Sequence, residues 1–507
     1  MEAARLSQAS GMRGAAWVLG GLLALRLSLA ATLELMPQEA YYFFYAEHPA
    51  LSYFDHPPVL AWSLWLMSQL FGKSVFTLRA TSFLLTALTL WSFVLLARRF
   101  LPEPARARGV LLLSVTGMVT VLGLISTPDV PLLLFWSLSL IQLSRAILDG
   151  NRSAWLLAGL CMGLAFDSKY TGVLLQGGML LFLLLSAPHR RWLRTPWPWA
   201  ALLLAQLASV PVYAWNAAHG FASLLFQSSE RAQGVGHSIR PGFFLGLLAT
   251  QAALLTPPLL GALILCALRG LRGARALLQS PQTLFLACFF LPGFLLFTGL
   301  SLMMLVKPNW LLPTYLTGLL WLSPTAGPRL LRWTVGSAVV LHVLAAIQLW
   351  AYPVPIRSDD TWIGWEQLAA EVDRRWAEEP DLFVFSADDY KTTAQLSFHL
   401  DRTIYGRNVL GRRGLQYDYV GWDLDALRGR SALYVDSQPR HVGRIDAPAA
   451  APPGGLLDHF AAAEELEPIH LTHRGRVVRA FRVWRAEDYQ GPSGRPATPP
   501  GPDVATH

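Results

Sequence analysis

The chain has 507 residues, of which 53% are hydrophobic and only 15% charged, and its mean hydropathy is +0.37. That balance excludes an ordinary soluble protein. The net charge of +8 comes mostly from arginines between apolar runs, so it gives nucleic-acid binding no support.

Apolar runs long enough for about 30 Å of hydrocarbon recur near residues 15–33, 76–97, 109–125, 128–147, 154–167, 170–187, 197–215, 242–268, 282–305, 309–323 and 330–351. Eleven transmembrane helices are expected from them. The first is read as a retained anchor, although Ser28-Leu29-Ala30-Ala31 resembles a cleavage site. The run at 58–71, between Pro57-Pro58 and Gly72, is expected to be an interfacial helix. Cys161, Cys266 and Cys288 lie in apolar runs without metal-type spacing and read as packing residues.

Alternate connections differ in charge. One set carries sixteen basic residues, among them Arg98, Arg99, Arg145, Arg190, Arg269 and Arg329. The other carries six: Lys73, Arg79, Lys169, Arg231, Arg240 and Lys307. The arginine-rich side is therefore expected to be cytoplasmic. Of the ten acids before residue 353, seven (Glu34, Glu39, Glu47, Asp55, Asp129, Asp167 and Glu230) fall on the opposite side. Acids gathered on one membrane face point to an outward-facing site.

The first outer loop, 34–75, is dense in aromatics and ionisable groups, from Gln38-Glu39-Ala40-Tyr41-Tyr42 to Tyr53-Phe54-Asp55-His56-Pro57-Pro58. Rings settle at headgroup level while carboxylates stay wet, which suits a site at the interface; a loop of ordinary solvated charges is the plainer alternative. Next, Thr127-Pro128-Asp129 sets an acid in a stiff turn, either to serve a site or to cap the following helix. Lys169-Tyr170 suits a phosphate or its lipid carrier, and equally an interfacial anchor. Trp215-Asn216 and His219 open the longest outer loop, which holds Gln227, Glu230, Arg231 and His237, and Lys307-Pro308-Asn309-Trp310 closes the series.

Residues 1–352 thus form the membrane domain. After Tyr352 the composition turns soluble, with 22 of the 33 acids in 353–488. Residues 353–489 read as an extracytoplasmic α/β domain. It has strands at Leu382–Ser386, Ala432–Val435 and Val477–Trp484 and helices at Trp365–Ala377 and Thr392–Leu400. The Pro/Gly-rich tail, 490–507, is expected to be disordered.

Taken in order, these motifs resemble the polyprenyl-phosphate-dependent glycosyltransferases of the protein O-mannosyltransferase and aminoarabinose transferase superfamily. The likeness is strongest to bacterial envelope members carrying the Tyr-Phe-Asp-His-Pro-Pro block. The resemblance runs from about residue 14 to 420. It implies the multi-span GT-C fold and inverting transfer of a sugar from a polyprenyl-phosphate carrier to an extracytoplasmic acceptor, such as a lipid A or envelope glycolipid, a glycan or a protein. It places the enzyme in the inner membrane, within the bilayer, with the site and the C-terminal domain outside. Glu39 matches the second acid of the family's catalytic Asp-Glu pair. Asp55-His56 matches a pair expected near the carrier phosphate and a divalent metal, for which Asp55 is the ligand.

One position departs from the pattern. Gln38 stands where the family has aspartate, and a carboxamide cannot act as a base near neutral pH. Three readings follow: Asp129 or Asp55 is the base, the acceptor is already ionised, or the protein is a degenerate carrier binder. The catalytic set is therefore Glu39, Asp129, Asp55 and Gln38, and the substrate-binding set is Tyr41, Tyr42, His56, Lys169, Tyr170, His219, Arg231, Lys307 and Asn309. Glu39, Asp55, His56, Asp129 and Lys169 are expected to share one cavity. A transporter, the competing class, should show paired half-repeats with broken helices, and the sequence reveals none. Arg26, within the first span, has no role from sequence alone.

Overall fold

The computed structural model describes residues 2–233, 238–441, 445, 447–449 and 451–492. His237 and the tail from residue 493 lie outside the described residues. In chain order the helices are α1 (Glu2–Thr32), α2 (Pro37–Glu47), α3 (Val59–Phe71), α4 (Val75–Phe100), α5 (Glu103–Ser114), α6 (Gly117–Leu124), α7 (Asp129–Leu148), α8 (Arg152–Ser168) and α9 (Leu174–Leu185). There follow α10 (Pro196–Ala208), α11 (Val210–Ala218), the short turns α12 (Ala222–Leu225) and α13 (Arg231–Gln233), α14 (Pro241–Leu255), α15 (Pro257–Arg272), α16 (Ala274–Gln279), α17 (Pro281–Leu300), α18 (Leu312–Leu322) and α19 (Pro328–Ala351). Proline sits in the first turn of α2, α5, α10, α11, α14, α15 and α17, where its missing N–H leaves no helical bond unmade.

Each apolar run carries helix, but eleven spans are not what the lengths give. Five helices, starting at Gly14, Val75, Asp129, Pro281 and Pro328, are long and apolar enough to cross a membrane; counting each bent pair as one span gives up to eight. The 11-residue α18 rises only about 17 Å, well short of the hydrocarbon thickness. The run at 58–71 is helix α3, 13 residues long and likewise too short to span.

Broken helices, unseen in the sequence, occur three times: α5 and α6 bend by 56°, α10 and α11 by 48°, and α14 and α15 by 113°. The last bend falls at Thr256-Pro257-Pro258, where Thr256 takes a φ of +94°. The run 242–268 is therefore two helices at a steep angle, because proline cannot continue the first. At the α5–α6 break Arg26 finds its role. Its guanidinium donates to the Ser114 carbonyl (2.8 Å), the Thr116 carbonyl (3.3 Å) and Thr120 Oγ1 (2.9 Å). Backbone groups freed by a break must be satisfied internally at membrane depth, and Arg26 supplies the donors.

Two compact units emerge. The first comprises residues 1–31, 56–60 and 79–345, a helical bundle with one large apolar core. Its arginine-bearing connections bond to one another. Arg99 reaches the Ser144 carbonyl and Asp149, Trp192 reaches the Ile147 carbonyl, and Arg108 reaches the Ala326 carbonyl. The charge alternation read from the sequence thus corresponds to one end of this bundle.

The second unit comprises 32–55, 61–78 and 346–507. Its sheet has the order β1-β2-β4-β3, with β1 (Phe383–Phe385) parallel to β2 (Ala432–Ser437), and with β3 (Phe460–His473) and β4 (Arg476–Tyr489) antiparallel. Helices α20 (Trp365–Glu378) and α21 (Lys391–Leu400) complete it, and α20 packs into the sheet's core through Trp365, Leu368 and Val372. The expected α/β elements are present. The edge strand β3 was not foreseen: its Phe-Ala-Ala-Ala-Glu-Glu start has poor strand propensity, and Pro468 lies within the pairing irregularity between Leu466 and Ile469.

The first outer loop packs within this second unit. Phe43 of α2 meets Phe398 of α21 edge-on, and Gln395 Nε2 donates to the Leu35 carbonyl at 2.6 Å. Glu34 accepts from the backbone N–H groups of Gly364, Trp365 and Glu366, capping α20.

Candidate active site

The candidate residues gather in two clusters, one in each unit. In the second unit, helix α2 puts Tyr41 and Tyr45 on one face, a turn apart. Both hydroxyls donate to Asp55 Oδ2, at 2.5 and 2.7 Å. Burial and the Asp55 charge push both phenols well above their ordinary pKa, so both remain O–H donors. The Gln416 backbone N–H donates to the Tyr41 oxygen (3.1 Å), and Gln416 Oε1 accepts from Phe54 N (2.8 Å). Tyr390 stacks on Tyr41 with centroids 4.3 Å apart, and the Gln38 side chain hydrogen-bonds the Tyr390 hydroxyl. Tyr42 packs beside Tyr41 and Tyr45. Glu39 is fully buried and accepts from Met36 N at 3.1 Å.

In the first unit, Asp129, Lys169 and Asn309 meet although they come from three separate connections. Lys169 Nζ lies 2.8 Å from Asp129 Oδ1, and Asn309 Nδ2 donates to Asp129 Oδ2 at 2.6 Å. Asp129 and Lys169 are both buried. The helix-cap alternative fails, since Asp129 is the first residue of α7 and its side chain caps nothing. Burial, with Lys169 and Arg231 nearby, holds the His56 imidazole well below its ordinary pKa. His56 is therefore neutral at pH 7. Arg231 stacks on Phe226 and Trp310 at 5.4 and 5.6 Å.

Other candidates are tied into local structure. Tyr170 OH pairs with Ser223 Oγ at 2.6 Å, and His219 stacks on Trp215 and lies 2.7 Å from its carbonyl oxygen. Lys307 is exposed. Among the seven outer acids, Glu34 caps a helix, Glu47 pairs with Lys73, and Asp167 bonds Ser209. Among the described residues no three His, Cys, Asp or Glu side chains gather as a metal site, and Asp55 already commits Oδ2 to two hydroxyls. The residues described here do not fit a divalent ion.

Sequence reasoning missed Tyr45, Tyr390 and Gln416 as supports of Asp55. The four-residue spacing of Tyr41 and Tyr45 was the available signal for the first; Gln416 and Tyr390 lie too far along the chain for any spacing rule.

The family model for dolichyl-phosphate-mannose-protein mannosyltransferase matches residues 55–215. The lipid A galacturonosyltransferase RgtD of Rhizobium johnstonii is 26% identical over 318 residues, covering 61% of this chain and 65% of that protein. The undecaprenyl phosphate-alpha-4-amino-4-deoxy-L-arabinose arabinosyl transferase of Pseudomonas aeruginosa is 34% identical over 172 residues, 32% of this chain and 30% of that protein. The match thus spans less than two thirds of either relative. Among solved structures, ArnT from Cupriavidus metallidurans bound to undecaprenyl phosphate aligns with a TM-score of 0.60 at 16% identity, over 92% of this chain and 97% of that one. Its apo form aligns with a TM-score of 0.64 at 14% identity, over 94% and 98%. At such identities the likeness establishes the fold.

Proposed function

Since this chain resembles the mannosyltransferase family over residues 55–215 and shares the fold of ArnT, we propose that it transfers a sugar, with inversion, from a polyprenyl-phosphate carrier to an anionic oxygen of an envelope glycolipid, such as a phosphate monoester of lipid A. The observation that carries the reading is the basic cluster of Lys169 and Arg231 around a neutral His56. The glycosidic C1–O bond to the carrier breaks as the acceptor oxygen attacks C1 from the opposite face. The carrier leaves as a phosphate monoester whose growing charge Lys169 and Arg231 meet. Asp129 and Asn309 aim the Lys169 ammonium rather than act on the sugar.

The acceptor class follows from the lack of a free base among the candidates. Gln38 is neutral, and Asp129 has both oxygens engaged. Asp55 Oδ2 already accepts from two phenols. An ionised acceptor needs no proton removed, so Asp55 and Glu39 serve to orient sugar and acceptor hydroxyls. The reaction takes place at the outer side of the inner membrane in this reading, with the C-terminal domain on that side.

The test uses membranes containing the chain, a labelled polyprenyl-phosphate sugar, and lipid A with or without its phosphates. Release of free polyprenyl phosphate together with labelled lipid A is expected only with the phosphorylated acceptor. Equal transfer to the dephosphorylated acceptor would overturn the acceptor class while sparing the transferase reading. Binding of carrier without any release would overturn both.

A further inference from the structure

We propose that the arginine-rich end of the helical bundle carries a second lipid site, which holds the phosphodiester head of an anionic phospholipid. A cavity of about 390 Å³ opens there among α15, α16, the start of α17 and the end of α18. Its polar lining is Arg269, Ser280, Thr283 and Thr325, and its apolar wall includes Leu277 and Trp321. The cavity is a built feature of the fold. Gly270 lets α15 lie against Trp321, because a Cβ there would come within 2.2 Å of the indole ring.

Charge identifies the occupant. Arg269, Arg272 and Arg275 follow one another along α15 and α16, and among the described residues none of them forms an ion pair. The nearby acids of this end are already committed, Asp149 to Arg99 and Glu103 to Arg106. A guanidinium in the cavity wall, Arg269, with Arg272 and Arg275 three and six residues further along the chain, favours a phosphate, which planar arginine forks bind well. Amphiphilic shape excludes a free ion as the better fit. Leu265, Leu268, Leu271 and Leu278 are all 43–50% exposed beside the arginines, a stripe that suits acyl chains directly under a bound head group. This site is separate from the Lys169 cluster, because it is formed by the opposite set of connections.

Cys266 lines the cavity and serves as the probe. The full chain is reconstituted in vesicles of phosphatidylcholine alone, or of phosphatidylcholine with phosphatidylglycerol. Maleimide labelling is then read peptide by peptide in the mass spectrometer, with Cys161 as internal control. Phosphatidylglycerol is expected to slow Cys266 labelling and leave Cys161 unchanged. Arg269→Gln and Arg272→Gln, both at exposed positions, should each weaken that protection about fivefold, with the thermal melt of the protein unchanged. Equal labelling in both vesicles, or protection that survives the double variant, would overturn the proposal. So would protection by inorganic phosphate in phosphatidylcholine vesicles, which would assign the cavity to a soluble anion, or by polyprenyl phosphate alone, which would assign it to the carrier. Transfer activity is not the readout, so failure here leaves the transferase reading standing.

Discussion

Two clusters of candidate residues solve opposite electrostatic problems. Around Asp55 the chain holds an anion with neutral donors, two phenols braced by the Gln416 backbone. Around Lys169 it holds a cation with an anion, and the carboxylate is itself braced by Asn309. The first arrangement holds a carboxylate oxygen between two hydroxyl donors. The second keeps an ammonium in place without neutralising its surroundings, because Arg231 adds a further positive charge beside His56. The difference between them can be broken experimentally.

The largest effect should come from Lys169. Lys169→Met is expected to lower transfer about 10²–10³-fold, the usual cost of losing one charged stabiliser of a leaving group. It also strands Asp129 in a buried site, which costs about 3–5 kcal/mol of stability. Asp129→Asn alone should cost transfer heavily as well, since the ammonium loses its aim. The double variant separates the two effects: its melting temperature should recover while transfer stays low. Recovery of transfer in the double variant would sink the phosphate role of Lys169.

Next in size is the Asp55 cluster. Tyr45→Phe removes one donor and should cost about 0.5–1.5 kcal/mol in transition-state orientation, roughly a threefold to tenfold loss. Gln416→Ala should do the same by removing the Oε1 acceptor of Phe54 N, next to Asp55, and Gln416→Glu, which keeps that acceptor, should recover much of it. The pH profile carries the sharper information. With an ionised acceptor, the rate should rise through about pH 6, where a phosphate monoester loses its second proton, and Asp55→Asn should leave that inflection in place. Disappearance of the inflection in Asp55→Asn would make Asp55 the base after all.

Helix content was legible because long apolar runs are local, additive signals. The steep α14–α15 bend was legible in principle, since Pro257-Pro258 stands in mid-run, but hydropathy averaging hides a two-residue break. Asp129 and Lys169 were expected together, but Asn309 was not placed with them, for it lies 180 residues from Asp129 and only the bundle joins the two. The seven outer acids look alike in a charge count. Only packing distinguishes Glu34, which caps α20, from Asp55, which two tyrosines surround. Arg26 shows the same limit: a helix break 88 to 90 residues away in sequence, but in direct contact in space, explains its charge.

A separate effect, on stability, tests the sheet-bearing part of the second unit. Burial and the neighbouring Asp359 push the Asp388 carboxyl up to about 8. The folded state then holds a proton that the unfolded chain releases near pH 4, so stability is full below about pH 4 and declines as pH rises toward 8. The slope for one linked proton is about 1.4 kcal/mol per pH unit. Asp388→Asn should flatten this decline and raise the melting temperature at pH 8. An unchanged pH dependence in that variant would place the linkage elsewhere.

Gln38→Asp should have the mildest consequence, and its direction discriminates between the two clusters as the source of catalysis. The Gln38 carboxamide reaches the Tyr390 hydroxyl, and Tyr390 in turn stacks on Tyr41. Aspartate is one methylene shorter, so it gives up part of that reach and adds a charge next to Glu39, which is buried. Like charges close together raise the proton affinity of one of them. If the acceptor arrives ionised, an added base has nothing to remove, and transfer should change by less than about threefold or fall, with the acceptor's KM rising as Tyr390 loosens. If instead the chain works without a needed base, restoring the carboxylate should raise kcat toward the 10²–10⁴-fold that positioned bases supply. A gain of that size on the phosphorylated acceptor would show that the missing proton acceptor limits the wild-type chain. The neutral outcome, with KM rather than kcat affected, is the one the Asp55 and Lys169 geometries lead us to expect.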